Sequence, residues 1–278
     1  MTFQLQQITD FLDAFAPLDQ AERWDNVGLL LGDHEVNVQR IMTCLTLTSD
    51  VAREAIERDA QLIVSHHPIF FRPVQKLTSA IPEGKLVLAL LRSGIAVYSP
   101  HTAFDSARLG INQMLASWLG LQEIEPIRSP LSPSDNSPGA GRWGKLNHPV
   151  MLREFLELVR ARLKLPGRTA SHGGHEVLLQ YVGELDRPVS TVGIGCGSAA
   201  EFLKDAARLG CDLFLTGEAR FHDCLEARET GIALVLAGHY GTERPGVEHL
   251  ADLLQTKFSM LTVWASQVEI DPLSWSVS

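Results

Sequence analysis

Residues 62–71, with the sequence LIVSHHPIFF, decide the fold class of this chain. They join a short, continuously apolar segment to two histidines and a proline. A strand that is apolar on both faces is typical of a sheet that is covered by helices on either side. Such strands, separated by helical patterns, predict an α/β fold. Comparable apolar segments occur at residues 95–98, 213–215 and 232–236.

An imperfect internal repeat predicts that this α/β pattern forms two lobes. In the first half, AQLIVSHH (residues 60–67) precedes SGIAVYSPHTAFD (residues 93–105). In the second half, CDLFLTGE (residues 211–218) precedes TGIALVLAGHYGTE (residues 230–243), and the match requires a slippage of a few residues. Ligands of open α/β sheets bind beyond the carboxyl ends of the strands. The repeat therefore predicts a cleft between the lobes, lined by equivalent loops.

A change of composition marks the expected boundary between the lobes. Residues 126–149 are rich in Pro, Ser and Gly, as linkers are. We therefore assign residues 1–126 to an N-terminal α/β lobe and residues 127–278 to a C-terminal α/β lobe that begins with this linker. The tail from residue 261 is expected to add an edge strand.

Composition and charge exclude several classes of protein. The 278 residues are 45% apolar with a net charge of −9, which suits a globular protein and argues against a surface for nucleic acid. No apolar run approaches the ~20 residues that span a bilayer, so no membrane partner is expected. The first ten residues, MTFQLQQITD, lack the pattern of a signal peptide. The four scattered cysteines suit a reducing compartment, and we predict a cytoplasmic protein.

Two histidines follow the first of the buried strands. Past the end of a strand, the rule that neighbouring side chains point to opposite faces lapses, so His66 and His67 can share one cleft. Neutral imidazole is a common ligand of divalent transition metals. The alternative is a pair of surface histidines that only form hydrogen bonds.

Two further pairs follow other buried strands with a spacing of four, which places both members on one face of a helical turn: His101 with Asp105, and His239 with Glu243. As alternatives, Asp105 could cap the next helix and Glu243 could interact with its dipole. Together with His66 and His67, the pairs supply enough nitrogen and oxygen ligands for two divalent metals bridged by a carboxylate. Such a pair of ions lowers the pKa of bound water, which then serves as a nucleophile.

Two other segments have open interpretations. Glu218 and His222, in the loop after the strand at 213–215, are candidates for orienting metal ligands or transferring protons, or else they belong to a solvated helix start. Residues 193–198, GIGCGS, predict a tight turn from strand to helix. An anion site at the exposed amides of this turn is the alternative, although the GxGxxG spacing is absent.

Five segments of the chain together resemble the Nif-three-like family (NGG-interacting factor three-like), whose members are often named GTP cyclohydrolase I type 2 homologues. They follow the order of the family's motifs, and they are WDNVGLLLGD (24–33), LIVSHHPIFF (62–71), AVYSPHTAFD (96–105), DLFLTGEARFHD (212–223) and LAGHYGTERPG (236–246). The chain departs from many members in its glycine turn, CGSAAE (196–201), where they are richer in glycine.

The resemblance implies a dinuclear metal centre in a cleft between two α/β lobes. It places the metal ligands at five positions, namely His66, His67, Asp105, His239 and Glu243. His101 lies in a matching motif but is less favoured as a direct ligand. In our leading hypothesis, Glu243 or Asp105 bridges the ions, and His101, Glu218 or His222 transfers protons or holds the substrate. The resemblance also implies a ring-shaped homohexamer.

The expected function is that of a metal-dependent hydrolase with two divalent ions per chain, drawn from Zn, Fe, Mn, Co or Ni. Its substrate would be a small molecule such as a nucleotide or a phosphoester, and a GTP cyclohydrolase-like activity is implied by the resemblance only. One alternative is a metal-dependent interaction or regulatory module, or a metal carrier, without turnover. Another is a nucleotide-binding protein that uses the glycine turn.

Overall fold

The computed structural model describes residues 2–130, 139–163, 168–169, 175–176 and 179–274. Over these residues the chain has the predicted mixed α/β architecture. Among them, no helix is both long enough and apolar enough to cross a membrane. The helices are α1 (Leu5–Phe15), α2 (Ser49–Glu57), α3 (Pro82–Arg92), α4 (His101–Ser106), α5 (Ile111–Trp118), α6 (Leu152–Leu163), α7 (Leu203–Arg208), α8 (Phe221–Thr230) and α9 (His239–Lys257), with 3-10 turns at Leu18–Gln20 and Ala200–Phe202.

The strands form two large sheets and two short ribbons. They are β1 (Phe3–Gln4), β2 (Gly28–Leu31), β3 (Asn37–Val38), β4 (Arg40–Cys44), β5 (Leu62–Ser65), β6 (Ala96–Ser99), β7 (Gln122–Glu125), β8 (Arg142–Met151), β9 (Arg168–Thr169), β10 (His175–Glu176), β11 (Gln180–Val182), β12 (Pro188–Gly195), β13 (Leu213–Thr216), β14 (Ala233–Leu236) and β15 (Thr262–Ala265).

The chain divides into two units that are not consecutive halves. One contains residues 1–104 and 246–270, and the other contains residues 105–245 and 271–278. This division differs from the predicted boundary at residue 126. Two pairings account for the difference: β15, late in the chain, pairs in parallel with β4 and so belongs to the first unit, whereas β7, which precedes residue 126, pairs with β8 and so belongs to the second.

The sheet of the first unit has the strand order β15-β4-β5-β6-β2. Strands β4, β5 and β6 are parallel, and β2 runs antiparallel to β6 at one edge. All four residues of β5 and all four of β6 are buried. Burial of both faces explains why their sequences are continuously apolar rather than alternating.

The sheet of the second unit has the order β11-β14-β13-β12-β8-β7. Its three parallel strands are β12, β13 and β14, and β11 runs antiparallel to β14. Each unit therefore contains three successive parallel strands with an antiparallel strand beside the third. The internal repeat predicted from the sequence would make β5 equivalent to β13 and β6 equivalent to β14.

The predicted linker at residues 126–149 contains much of a strand, β8, where it is described. Strand β8 begins at Arg142 and pairs antiparallel with β12, with an irregularity between Val189 and Thr191. The Pro- and Ser-rich residues 131–138 lie outside the described residues. Strand β8 could not be predicted from composition, because it has no apolar run of its own and is held in the sheet by its pairing with β12.

Candidate metal centre

Three histidines of the first unit converge beyond the ends of its parallel strands, and we call them the histidine cluster (His66, His67 and His101). His66 and His67 follow β5, and His101 begins α4 directly after β6. One ring nitrogen of each lies within 4.8 Å of the other two. His66 and His101 are only 1% and 8% exposed. Buried imidazoles at this separation could hold a metal ion.

Hydrogen bonds fix two of these rings. Nδ1 of His67 lies 2.7 Å from the hydroxyl of Thr46, and Nδ1 of His101 lies 2.7 Å from a carboxylate oxygen of Asp25. Metal-binding histidines usually engage their second ring nitrogen in this way, because it sets the tautomer and the ring orientation. The ligand atom of both residues would therefore be Nε2.

Asp25 has a role that the sequence analysis missed. Its carboxylate accepts hydrogen bonds from the amide and the hydroxyl of Thr102, at 3.1 and 2.5 Å, in addition to its contact with His101. Burial alone would raise the pKa of Asp25, but the hydrogen bonds from His101 and Thr102 outweigh it and lower the pKa. Asp25 thus stays ionised beside His101. The segment WDNVG carries no ligand spacing that could have indicated this.

The second unit has its own acidic cluster, formed by Asp105, His239 and Glu243. His239 and Glu243 lie one turn apart in α9, as their spacing predicts, with Nε2 2.9 Å from a carboxylate oxygen. An oxygen of Asp105 lies within 4.8 Å of one of Glu243, which is only 4% exposed. Nδ1 of His239 lies 3.0 Å from Glu218, so this candidate orients a histidine.

The protonation of His239 reflects these carboxylates. Burial would lower the pKa of His239, but hydrogen bonds and charges from Glu243 and Glu218 raise it to about 9. Without a metal the ring is an imidazolium at neutral pH. A divalent ion at Nε2 would have to displace that proton, so metal binding there would release protons.

Cys196 contacts the acidic cluster as a neutral thiol. Its Sγ donates a hydrogen bond to Asp105 at 3.1 Å. Burial raises the pKa of Cys196 well above its usual range, and the charges of Asp105 and Glu243 raise it further. A nucleophilic cysteine requires a lowered pKa, so Cys196 is not suited to thiolate chemistry.

The glycine turn is structural, as the first of its two interpretations predicts. Its amides donate within the protein: Cys196 to the side chain of Asn112 at 2.8 Å, and Gly197 to the hydroxyl of Thr242 at 3.0 Å. These donors are therefore unavailable to an anion. Gly197 also has a φ of +60°, and a Cβ there would lie 1.9 Å from an oxygen of Glu243. The turn needs glycine because it passes directly over Glu243.

A model of the Duf34/NIF3 family (NGG1p interacting factor 3) matches residues 3–272. The chain belongs to this family. A GTP cyclohydrolase 1 type 2 homolog from Clostridium acetobutylicum is 32% identical over 276 residues, which cover 98% of each chain. NIF3-like protein 1 from Drosophila melanogaster is 32% identical, over 97% of this chain and 88% of its own.

Solved structures agree with this membership. Staphylococcus aureus protein SA1388 is 26% identical and has a TM-score of 0.84, covering 99% of both chains. A Bacillus cereus protein related to NIF3 has the same TM-score at 21% identity, which shows the fold alone. The mixed α/β architecture is thus that of NIF3 proteins.

The donor set of this NIF3 protein fits divalent metals. Among the described residues, the groups that could hold an ion are drawn from His66, His67, His101, Asp105, His239 and Glu243. Imidazole and carboxylate ligands suit Zn, Fe, Mn, Co and Ni rather than selecting one of them. His101, which the spacing pattern offers as a ligand and the resemblance favours less, lies with His66 and His67 in one of these groups.

The remaining candidate, His222, is in none of these groups. His222 is exposed in the first turn of α8, and the centroid of its ring lies 5.8 Å from that of Phe221. Arg142 is buried, and its guanidinium donates to the carbonyls of Ser106, Ala107 and two glycines. It therefore has a structural role in the NIF3 fold, and burial lowers its pKa to about 10.

Proposed function

We propose that this NIF3 protein is a metal-dependent hydrolase that holds two divalent ions per chain and acts on a nucleotide or another phosphoester-type small molecule. The observation that carries the proposal is the histidine cluster. One ring nitrogen of each imidazole lies within 4.8 Å of the other two, and Asp25 and Thr46 orient two of the rings. One imidazole nitrogen from each of three neighbouring histidines is a ligand set that divalent transition metals take.

The proposed ligands are His66, His67, Asp105, His239 and Glu243, with Glu243 or Asp105 shared by the two ions. The resemblance in sequence supports joining these residues into one dinuclear centre in a cleft. His66 and Glu243 are buried, 1% and 4% exposed, and their imidazole and carboxylate are ligand types that divalent transition metals take. His101 is a further candidate from its place in the histidine cluster.

The bound ions would supply Lewis acidity and a water of lowered pKa. The protein's own groups would orient the ligands and handle protons. Asp25 holds Nδ1 of His101, and Glu218 holds Nδ1 of His239. The side chain of Glu218 is 55% exposed, so it can also exchange a proton with solvent. The exposed residue His222 is a further candidate for proton transfer, besides His101 and Glu218.

The substrate class rests on the relatives. Several carry the name GTP cyclohydrolase 1 type 2 homolog, which favours a nucleotide. The four cysteines, all within the described residues, form no disulfide, which favours a cytoplasmic location. From the sequence resemblance, we also propose that the protein forms a homohexamer. The acidic net charge of −9 argues against a nucleic-acid partner, and we propose no membrane partner.

The test is the metal content of untagged protein purified without chelators. We expect close to two transition-metal ions per chain in the wild type and a loss of metal in Glu243→Ala. Glu248→Ala is the matched control, since Glu248 is an exposed glutamate of the same helix. Circular dichroism should show that both variants are folded. Hydrolysis of GTP and of bis(p-nitrophenyl) phosphate should depend on the metal and disappear in Glu243→Ala.

Two outcomes would contradict the proposal. A wild-type protein that contains no metal, and takes up none when Zn, Mn, Fe, Co or Ni is added, would leave an interaction module as the better explanation. A protein that loses its metal readily to a mild chelator and hydrolyses neither compound would instead be a metal carrier.

A further inference from the structure

Two exposed aromatic side chains border the histidine cluster, and we call them the aromatic pair (Trp24 and Phe71). Trp24 is 63% exposed and Phe71 is 52% exposed. Their ring centroids lie 5.9 and 5.5 Å from that of His101, which is itself buried. Interplanar angles of 75° and 84° show that neither ring stacks flat on the imidazole. Large apolar surface is thus left open to solvent directly beside a candidate metal ligand.

The backbone beneath the aromatic pair is firmly anchored. The side chain of Asn26 donates to the carbonyl of Phe70 at 2.6 Å, which joins the two loops next to the rings. On the other side of Trp24, the amide of Glu22 donates to the hydroxyl of Thr102 at 3.0 Å. Rings that are exposed yet held on fixed backbone are preorganised for a ligand, because little conformational freedom is lost on binding.

We propose that the aromatic pair binds a planar heteroaromatic ring of the substrate, as in a nucleobase, by stacking. The proposal deepens the proposed function, on which it rests, by naming the part of the substrate that is recognised. Aromatic side chains stack on any nucleobase, since every base has a π-face. A ring held beside His101 would bring the rest of the substrate to the histidine cluster.

The charges beside the aromatic pair support a nucleotide rather than a neutral ring. Each aromatic residue has an exposed arginine next to it in the chain: Arg23 precedes Trp24, and Arg72 follows Phe71. Guanidinium groups suit phosphate oxygens. In a chain of net charge −9, two arginines next to exposed rings give a local preference for a ring that carries phosphate.

The experiment compares two probes that differ only in the ring. Isothermal titration calorimetry measures the binding of guanosine 5′-monophosphate and of ribose 5-phosphate to the full-length, metal-loaded protein. We expect the wild type to prefer the nucleotide by about 10-fold or more, as one stacked base provides. Trp24→Ala and Phe71→Ala should each reduce that preference, Trp24→Ala by about 10-fold. Trp24→Phe should keep most of it. Tyr181→Ala, which removes an exposed aromatic ring from β11 of the other unit, should not change it.

Elemental analysis and light scattering on the same samples distinguish the ways in which the proposal could fail. Metal content should be the same in wild type and Trp24→Ala; absence of metal from the wild type would count against the proposed function itself. Metal-loaded wild type that binds the nucleotide no better than ribose 5-phosphate would overturn the stacking proposal alone. So would a Trp24→Ala protein that keeps the full preference but has a changed oligomeric mass, since the ring would then belong to a subunit interface.

Discussion

The carboxylate of Asp25 lies 2.7 Å from Nδ1 of His101, a residue that is 76 positions later in the chain. The side chain of Asp25 is fully buried, and Thr102 donates two further hydrogen bonds to it. His101 has a φ of +26°, which L-residues rarely adopt, and it is held there by these contacts. The pair gives His101 the orientation and the tautomer of a metal ligand.

Asp25→Asn should therefore weaken metal binding without unfolding the protein. Loss of such a supporting carboxylate typically reduces metal affinity by about 10- to 100-fold. Competition with a chelator of known affinity would measure this. Asp19→Asn, which changes an exposed carboxylate in the 3-10 turn Leu18–Gln20, is the control. Equal affinities of the two variants would mean that Asp25 supports only the fold.

Gly197→Ala should remove metal binding by the acidic cluster. The added Cβ would lie 1.9 Å from an oxygen of Glu243 and 3.2 Å from Nε2 of His239, so both side chains would have to move. Gly210→Ala is the matched control, because Gly210 has a φ of +78° and its Cβ would meet open space among the described residues. Both variants should lose about 1–2 kcal/mol of stability from backbone strain, but only Gly197→Ala should lose metal on elemental analysis. Normal metal content in Gly197→Ala would contradict this prediction, because the side chains of Glu243 and His239 would then shift without losing the metal.

The buried parallel strands could be predicted because their signal is local. Strands β5, β6, β13 and β14 each begin with at least three successive apolar residues, and burial on both faces removes the apolar–polar alternation of a half-exposed strand. The edge strand at the tail was also expected. Its partner was not, since the pairing of β15 with β4 links residues more than two hundred positions apart and leaves no pattern in either segment. That pairing returns residues 246–270 to the first unit, while the pairing of β7 with β8 places residues before 126 in the second.

For the candidate site, too, only the features with a local signal could be predicted from the sequence. Residues at strand ends could be identified from the sequence, because the carboxyl ends of parallel strands meet at one edge of a sheet. His66, His67 and His101 converge for this reason. The side chains that orient them, Asp25 and Thr46, have no fixed spacing from the histidines, and only the folded chain brings them into contact.

In metal-free protein, the raised pKa of His239 should make stability depend on pH. The pKa is about 9 in the folded state and 6.5 ordinarily, so the charged ring stabilises the fold fully below pH 6.5, and this contribution is lost as pH rises through 9. Urea unfolding of chelator-treated protein at several pH values would measure the decline. Glu218→Gln should make it smaller, because it removes a charge that raises the pKa of His239. Glu229→Gln, at an exposed position of α8, should leave the decline unchanged; a decline as steep in Glu218→Gln would contradict this assignment.

Glu54 should be one of the most important residues for stability in the first unit, because it joins α2 to the end of β15. Its carboxylate accepts hydrogen bonds from Trp264 Nε1 at 3.1 Å, from the Ser266 hydroxyl at 2.6 Å and from the amide of Gln267 at 3.1 Å. Burial raises the pKa of Glu54, but hydrogen bonds from Ser266 and Gln267 outweigh it and lower the pKa. The ionised carboxylate therefore stabilises the fold above pH 4.5, and its contribution is lost as pH falls through the lowered pKa.

Glu54→Ala should thus reduce the free energy of unfolding by about 3 kcal/mol at neutral pH, since the buried donors of Trp264 and Ser266 and the part-buried amide of Gln267 lose their acceptor. Glu57→Ala, on the exposed face of the same helix, should change it by no more than about 0.5 kcal/mol. Chemical denaturation of both variants at pH 7 and in acid gives the comparison. The deficit of Glu54→Ala should shrink in acid, where the wild-type carboxylate is protonated as well. A deficit that is the same at both pH values would assign the effect to lost packing rather than to the charge of Glu54.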